Sequence, residues 1–328
     1  MLLKSDIIVE QIKSCFFGIP KKGIKVIWEV TKNCQLNCVH CCNNFRRNRQ
    51  RNIADISLLK AKNIIKKLSQ YNVNKIVFTG GDPLEYDHIF ELVKCAKSFG
   101  MKVSLSTNGM LLEKYYDEII KLSPLKIVIG IYGFLPETHD SFVGKKGALN
   151  NIFLWVEKLI PHGIEVNFHY TANKKNLHEL EDLMNYANEK GIKVSLANIL
   201  QVKGRPLIKK YLISEDGFEN KLNRIIHKHY YNVEYIRNKK GILEKCPAGD
   251  KVIGILFNGK FTPCPWISNF SSKYDTDSVE KVFKYKKSIE TILKNNLCIN
   301  CSISKCGRGC PGSALSIKSN FDPLCLKR

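Results

Sequence analysis

The sequence predicts an α/β protein: a partial (β/α)6 TIM-like barrel followed by a small, cysteine-rich C-terminal domain. Three features carry this reading. Short apolar runs of strand type alternate with segments whose apolar residues recur at helical spacing, six times in succession, and such alternation implies a parallel sheet with helices packed on it. The unusual glycine-rich and polar stretches each follow a strand, which places them on the one rim where barrels of this kind carry chemistry. Finally, composition changes sharply at Cys246, from which seven of the thirteen cysteines follow. A chain of 328 residues with 44% hydrophobic content suits one large domain and a smaller one.

Residues 1–23 read as a lead-in, with Cys15 a small buried residue. The barrel spans 24–205. Ile24–Val30 is the first strand, and Ser57–Ser69 the first helix, with Ser57 as N-cap. Lys75–Thr79 is the second strand, paired with a helix over Tyr86–Phe99 that Gly100 ends and whose apolar face holds Cys95, Leu92 and Phe99. Lys102–Ser106 precedes a helix over Leu111–Leu122, stopped before Pro124. Lys126–Ile131 precedes a helix from Ala148 to Ile160. Ile164–His169 precedes Leu177–Glu189, closed by Gly191, and Ile192–Ala197 is the sixth strand. Residues 206–240 read as a helical, basic connector, with His227 and His229 on its surface. Residues 241–328 form the cysteine-rich domain, in which Gly259 makes a hairpin turn before Cys264.

The net charge of +22 raises the question of nucleic acid. The lysines, however, are scattered along the whole chain, which argues against a nucleic-acid surface. Only Arg46, Arg47, Arg49 and Arg51 cluster, as a solvated face or a patch attracting an acidic substrate. No apolar run is long enough to span a bilayer, and the N-terminal stretch, with acidic residues and no continuous apolar core, does not read as a secretory signal. Thirteen cysteines without such a signal point to metal chemistry in a reducing cytoplasm rather than to disulfides.

Thr31–Cys42 reads TKNCQLNCVHCC. Cys34, Cys38 and Cys41 give a C-x-x-x-C-x-x-C run, in which one short loop wraps a metal centre with soft ligands suited to zinc or iron–sulfur. Most zinc and ferredoxin sites bring four protein ligands, and this loop brings three. A structural zinc knuckle is the plainer reading, and Cys42 competes with Cys41 as third ligand. Gly80-Gly81-Asp82-Pro83 follows the second strand and lets backbone approach a ligand closely, although the same four residues alone make a common turn.

Together these stretches resemble the signature of the radical S-adenosylmethionine (SAM) superfamily. The resemblance implies that Cys34, Cys38 and Cys41 hold a 4Fe–4S cluster with one iron left for the amino and carboxylate groups of SAM. An electron then splits the sulfonium and releases a 5′-deoxyadenosyl radical, which abstracts a hydrogen from the substrate. It places His40 where the family has an aromatic ring. Gly80, Gly81, Asp82 and Pro83 take the place of the family's Gly-Gly-Glu-Pro at the SAM amino group, with aspartate for glutamate. Ser106 and Asn108 fall near the ribose and carboxylate. Asn173 and Arg205 are further cofactor candidates, for which capping a loop is the alternative. Tyr132 stands where a small polar residue is usual and is expected at the barrel mouth, shaping a substrate pocket or packing there. His139 and Asp140 begin a helix-bearing loop as structural residues.

The tail resembles the SPASM domain of the same superfamily, with one residue fewer between Cys301 and Cys306. Taken alone, its cysteines equally describe a pair of zinc sites. The resemblance implies two auxiliary 4Fe–4S clusters, three in all. Cys298, Cys301, Cys306 and Cys325 would hold the outer one, and Cys246, Cys264 and Cys310 the inner one, completed by an open iron or a ligand such as Glu244 or Asp250. The function implied is modification of a ribosomally made peptide by crosslink, thioether or epimerisation, with an electron donor such as flavodoxin or ferredoxin as partner. The alternatives are oxidation of a protein residue, as in sulfatase maturases, side-chain chemistry on a tetrapyrrole, and a non-catalytic metal- or nucleic-acid-binding protein.

Overall fold

The computed structural model describes residues 23–41, 55–198, 224, 233–235, 246–268, 271–292 and 315. In chain order its elements are β1 (Ile24–Thr31), α1 (Leu58–Leu68), β2 (Val73–Gly80), α2 (Ile89–Ser98), β3 (Lys102–Thr107), α3 (Tyr116–Ile120), β4 (Lys126–Ile131), α4 (Pro136–Val143), α5 (Ala148–Leu159), β5 (Glu165–Ala172), α6 (Leu180–Glu189), β6 (Lys193–Asn198), β7 (Val233–Tyr235), β8 (Val252–Ile255), β9 (Phe261–Thr262), α7 (Pro265–Ser268), α8 (Val279–Lys284) and α9 (Lys286–Ile292). They fall into two compact units. One comprises Met1–Lys32, Gln50–Val103 and Lys239–Arg328, the other Asn33–Arg49 and Ser104–Asn238.

In the first unit β1 is the central strand. It runs parallel to β2 on one side and to β8 on the other. Ile24, Val26, Trp28 and Val30 are all fully buried, as period-2 alternation in a covered strand requires. Ser57 caps α1 by accepting from the Lys60 amide at 3.4 Å. Ala61, Ile64, Ile65 and Leu68 form the buried stripe of that helix. The α2 stripe is Ile89, Leu92, Val93 and Ala96. It ends before Phe99, which is 41% exposed, and Cys95 is half-buried, so these two are not the core pair expected from spacing.

The sequence-based boundary at 240/241 does not set β8 apart. Its residues pair with β1 from Lys25↔Val252 to Trp28↔Ile255. The hairpin at Gly259 is present, with φ +84° there and β9 returning antiparallel.

In the second unit β3, from Ser104 on, pairs with β4, and β4–β5, β5–β6 and β6–β7 are likewise parallel. The strand β7 lies where a helical connector was expected. Valine and tyrosine are good strand formers, but three residues are too few to stand out in a basic stretch. The expected helix over Leu111–Leu122 shrinks to α3. Asn108 and Gly109 open this segment with a side-chain-stabilised turn, the Asn108 Oδ1 accepting from the Met110 amide at 2.9 Å, and i→i+3 bonds such as Tyr116 N to Glu113 O continue it. Strand β5 runs on to Ala172, so Tyr170, Thr171 and Ala172 belong to the strand and not to the loop after it. No helix among the described residues is long and apolar enough to cross a membrane.

Candidate functional site

In the second unit Cys34, Cys38 and Cys41 lie half-buried on one loop. The loop is docked on α4. The last carbonyls of a helix have no partner within it, and here the Phe142 and Val143 carbonyls accept from Val39 N at 2.9 Å and Asn37 N at 3.1 Å. Leu36 packs with Val143 and Ala148 in an apolar cluster that Cys34, Cys38, Met110 and Tyr132 border. His40 stacks on Phe142 at 4.9 Å and lies 4.4 Å from Tyr132, which stacks on Phe142 at 5.1 Å. Tyr132 therefore packs against the cysteine loop.

Helix α4 is itself held at both ends. Glu179, 2% exposed, accepts from the amides of Phe134 and Leu135 at 2.7 and 2.9 Å and from the Thr138 hydroxyl at 2.5 Å. A carboxylate suits this helix N-terminus. Asp140 accepts from the Gly147 and Leu149 amides and closes the turn into α5, the structural role expected of it. Glu179 had no mark in the sequence. It looks like one more helix-start acid, and only the chain crossing back after β5 brings it under α4.

His139 is fully buried, and its Nδ1 accepts from the Tyr132 amide at 3.2 Å, so the neutral ring carries its proton on Nε2. Burial holds its pKa down to about 4, against a smaller upward pull from Asp140. The folded state then binds fewer protons than the unfolded chain between the ordinary histidine value of about 6.5 and about 4, so stability falls as pH falls through that window. The loss builds up across the window and is complete, at about 3 kcal/mol, only below the folded-state value. A His139→Gln variant, which keeps an acceptor for the Tyr132 amide, should lose this slope. Urea unfolding at pH 7 and at about pH 4.5, inside that window, checks it. An unchanged pH dependence would contradict the assignment.

Asn108 places its Nδ2 2.9 Å from Gln35 Oε1 and 3.5 Å from Cys34 Sγ. Ser106 is half-buried on β3. Asn173 is fully buried, and its side chain serves its own loop. Its Oδ1 accepts from Lys175 N at 2.9 Å and its Nδ2 donates to Thr171 O at 3.3 Å. Arg205 lies outside the described residues.

In the first unit Gly80 has φ +143°, and Gly81 N donates to Thr31 O at 2.9 Å. Asp82 is fully buried, and its Oδ1 accepts from the Leu84 amide at 2.9 Å, capping the single turn Pro83–Glu85. Cys246 and Cys264 pack against the same apolar cluster of Ala248, Ile267, Tyr274 and Ile289, and Lys286 Nζ donates to the Cys246 carbonyl at 2.6 Å. Asp250 sits in the turn beside them, its amide donating to Pro247 O at 3.1 Å. Cys298, Cys301, Cys306, Cys310, Cys325 and Glu244 lie outside the described residues, as do Cys42 and the arginine cluster.

Among the described residues no three His, Cys, Asp or Glu side chains converge as ligands of one ion would. That is the demand of a single zinc. A cluster asks less convergence, because each thiolate takes a different iron. Three half-buried thiols on a backbone-anchored loop fit such a group.

Residues 28–187 match the family model described as the radical SAM superfamily. The Fe-coproporphyrin III synthase of Methanosarcina barkeri (strain Fusaro / DSM 804) is 30% identical over 176 residues, 54% of this chain and 43% of that protein. The antilisterial bacteriocin subtilosin biosynthesis protein AlbA of Bacillus subtilis (strain 168) is 26% identical over 243 residues, 72% of this chain and 54% of that protein. The chain spans about half the length of the first curated relatives it matches. Among solved structures, Streptococcus suis SuiB bound to its precursor peptide SuiA superposes with a TM-score of 0.76 at 17% identity, covering 98% of this chain and 80% of that one. That likeness is one of fold, and it agrees with the α/β, partial TIM-like barrel expected. On the match of the family model, the chain carries a radical SAM domain over residues 28–187.

Proposed function

We propose that this chain is a radical SAM enzyme acting on a ribosomally made peptide. The observation that carries the reading is the three-thiol loop itself, with the family's spacing, docked through its own amides on the end of α4. Cys34, Cys38 and Cys41 would hold a 4Fe–4S cluster. Such a cluster supplies the electron that cleaves SAM to a 5′-deoxyadenosyl radical, which takes hydrogen from the substrate. The chain's own contribution is placement. The docked amides fix the loop backbone, and His40 and Tyr132, each stacked on Phe142, present an aromatic wall beside it. By the family resemblance alone, Gly80–Pro83 would be the stretch that meets the cofactor's amino group. Cys246 and Cys264, brought to one apolar cluster, are the described part of a SPASM-type auxiliary site. Two auxiliary clusters, ligated as the sequence implies, and a flavodoxin- or ferredoxin-like donor complete the proposal.

The peptide substrate is supported by AlbA and by SuiB, whose names connect them with a bacteriocin and a precursor peptide. Tetrapyrrole chemistry is the second reading, favoured by the 30% identity to the coproporphyrin enzyme.

The test is anaerobic reconstitution with iron and sulfide, reduction, and incubation with SAM. Formation of 5′-deoxyadenosine is expected, and its rate should rise with a precursor peptide but not with a panel of tetrapyrrole precursors. The reverse response would move the proposal to tetrapyrroles. Sites filled by zinc, with no cleavage, would return the chain to the binding-protein class.

A further inference from the structure

We propose that Asn108 sets the reduction potential of the cluster held by Cys34, Cys38 and Cys41, by donating an N–H···S hydrogen bond to the Cys34 sulfur. The inference rests on the cluster assignment above and assigns Asn108 a role different from the cofactor contact its sequence position suggests.

The orientation of the amide follows from its partners. Oδ1 accepts from the Met110 N–H at 2.9 Å, which fixes the oxygen end. The NH2 end then faces Gln35 Oε1 at 2.9 Å and Cys34 Sγ at 3.5 Å, one hydrogen to each. Asn108 is therefore locked on three sides. The turn at Gly109, φ +82°, leaves its side chain aimed at the cysteine loop, and a Cβ on Gly109 would lie 2.9 Å from Ile152. Hydrogen bonds to ligand sulfurs are among the terms that set cluster potentials. Reduction adds negative charge that the thiolates share, so a donor at Cys34 stabilises the reduced form and raises the potential. Removing the donor lowers it.

Two variants separate this from a folding role. Asn108→Asp keeps the acceptor for Met110 N, loses the donor and adds a negative charge. Asn108→Ser keeps a short acceptor for the turn and cannot reach Cys34. Both are titrated with dithionite, following the EPR signal that disappears in a Cys34→Ala, Cys38→Ala, Cys41→Ala variant. With iron content unchanged, the reduced-to-oxidised ratio at a fixed potential should fall about tenfold in Asn108→Ser, ~59 mV for a one-electron couple, and further in Asn108→Asp. An unchanged ratio in Asn108→Ser at wild-type iron content overturns the role of Asn108 and leaves the cluster assignment standing. If no signal is lost in the triple cysteine variant, the cluster assignment fails, and the role of Asn108 with it.

Discussion

Alanine at Cys34, at Cys38 or at Cys41 is expected to lower SAM cleavage more than about 100-fold, because changes outside the ligand shell of a metal site already cost roughly 10–100-fold. The three single variants should be nearly as inactive as the triple one, since a cage of three thiolates has no spare member. Iron should fall by one cluster's share while the fold persists. The loop's anchors are not thiols: Asn37 N and Val39 N bond to the end of α4, and Leu36 is buried against Val143 and Ala148. Far-UV circular dichroism should therefore match the parent chain. Cys42→Ala is the internal control and should retain cleavage, because the family's spacing ends at Cys41. Activity surviving in Cys41→Ala but lost in Cys42→Ala would shift the third ligand by one residue. Activity surviving in all three would remove the loop from the chemistry.

How far the fold could be read beforehand follows from where each signal lies in the chain. Strand β4 matches its expected bounds because an apolar run such as KIVIGI, bounded by turn residues, is a local signal. Ser57 and the turns at Gly100, Gly191 and Gly259 were legible for the same reason: a cap or a positive φ is decided by a few neighbouring residues. Pairing partners are not local. Nothing in VIGI announces that it will lie along β1, and a cysteine-rich context hid a strand that belongs with the barrel's first two. The sequence marks α4 only as a loop that bears a helix, yet its last carbonyls carry the cysteine loop. The thiols and the glycine run were legible by residue type. Glu179, Asn176 and Lys286, which support loops or the cysteines' surroundings, are ordinary polar residues whose roles exist only once distant segments meet. Asn176 shows this plainly, since its Nδ2 donates to Tyr132 O at 2.9 Å across 44 positions of sequence.

Gly80→Ala is expected to destabilise the chain by about 4 kcal/mol, the sum of two separate penalties. At φ +143° the backbone is in a region open essentially to glycine, a cost of roughly 1–3 kcal/mol for any other residue. A Cβ there would also lie 2.4 Å from the Thr31 carbonyl oxygen, which belongs to rigid backbone in β1 and cannot rotate away. Relieving that overlap means parting β1 from β2 where Gly81 N donates to the same oxygen at 2.9 Å, a further roughly 1–3 kcal/mol. Against a typical total of about 5–15 kcal/mol this is a large share. Gly100→Ala is the reference for a positive φ without a steric conflict, since Gly100 has φ +74°, in the milder left-handed region, and only open space where the added methyl would stand. Its cost should stay near roughly 1–2 kcal/mol. Urea midpoints of the two variants make the comparison without any cofactor. Equal costs would mean that the Thr31 contact yields easily, and that the close approach of the two strands is not what requires glycine. A larger cost at Gly80 would mean that glycine is required there by the fold alone, so that any further loss of SAM cleavage in Gly80→Ala must be judged only after matching the folded fractions.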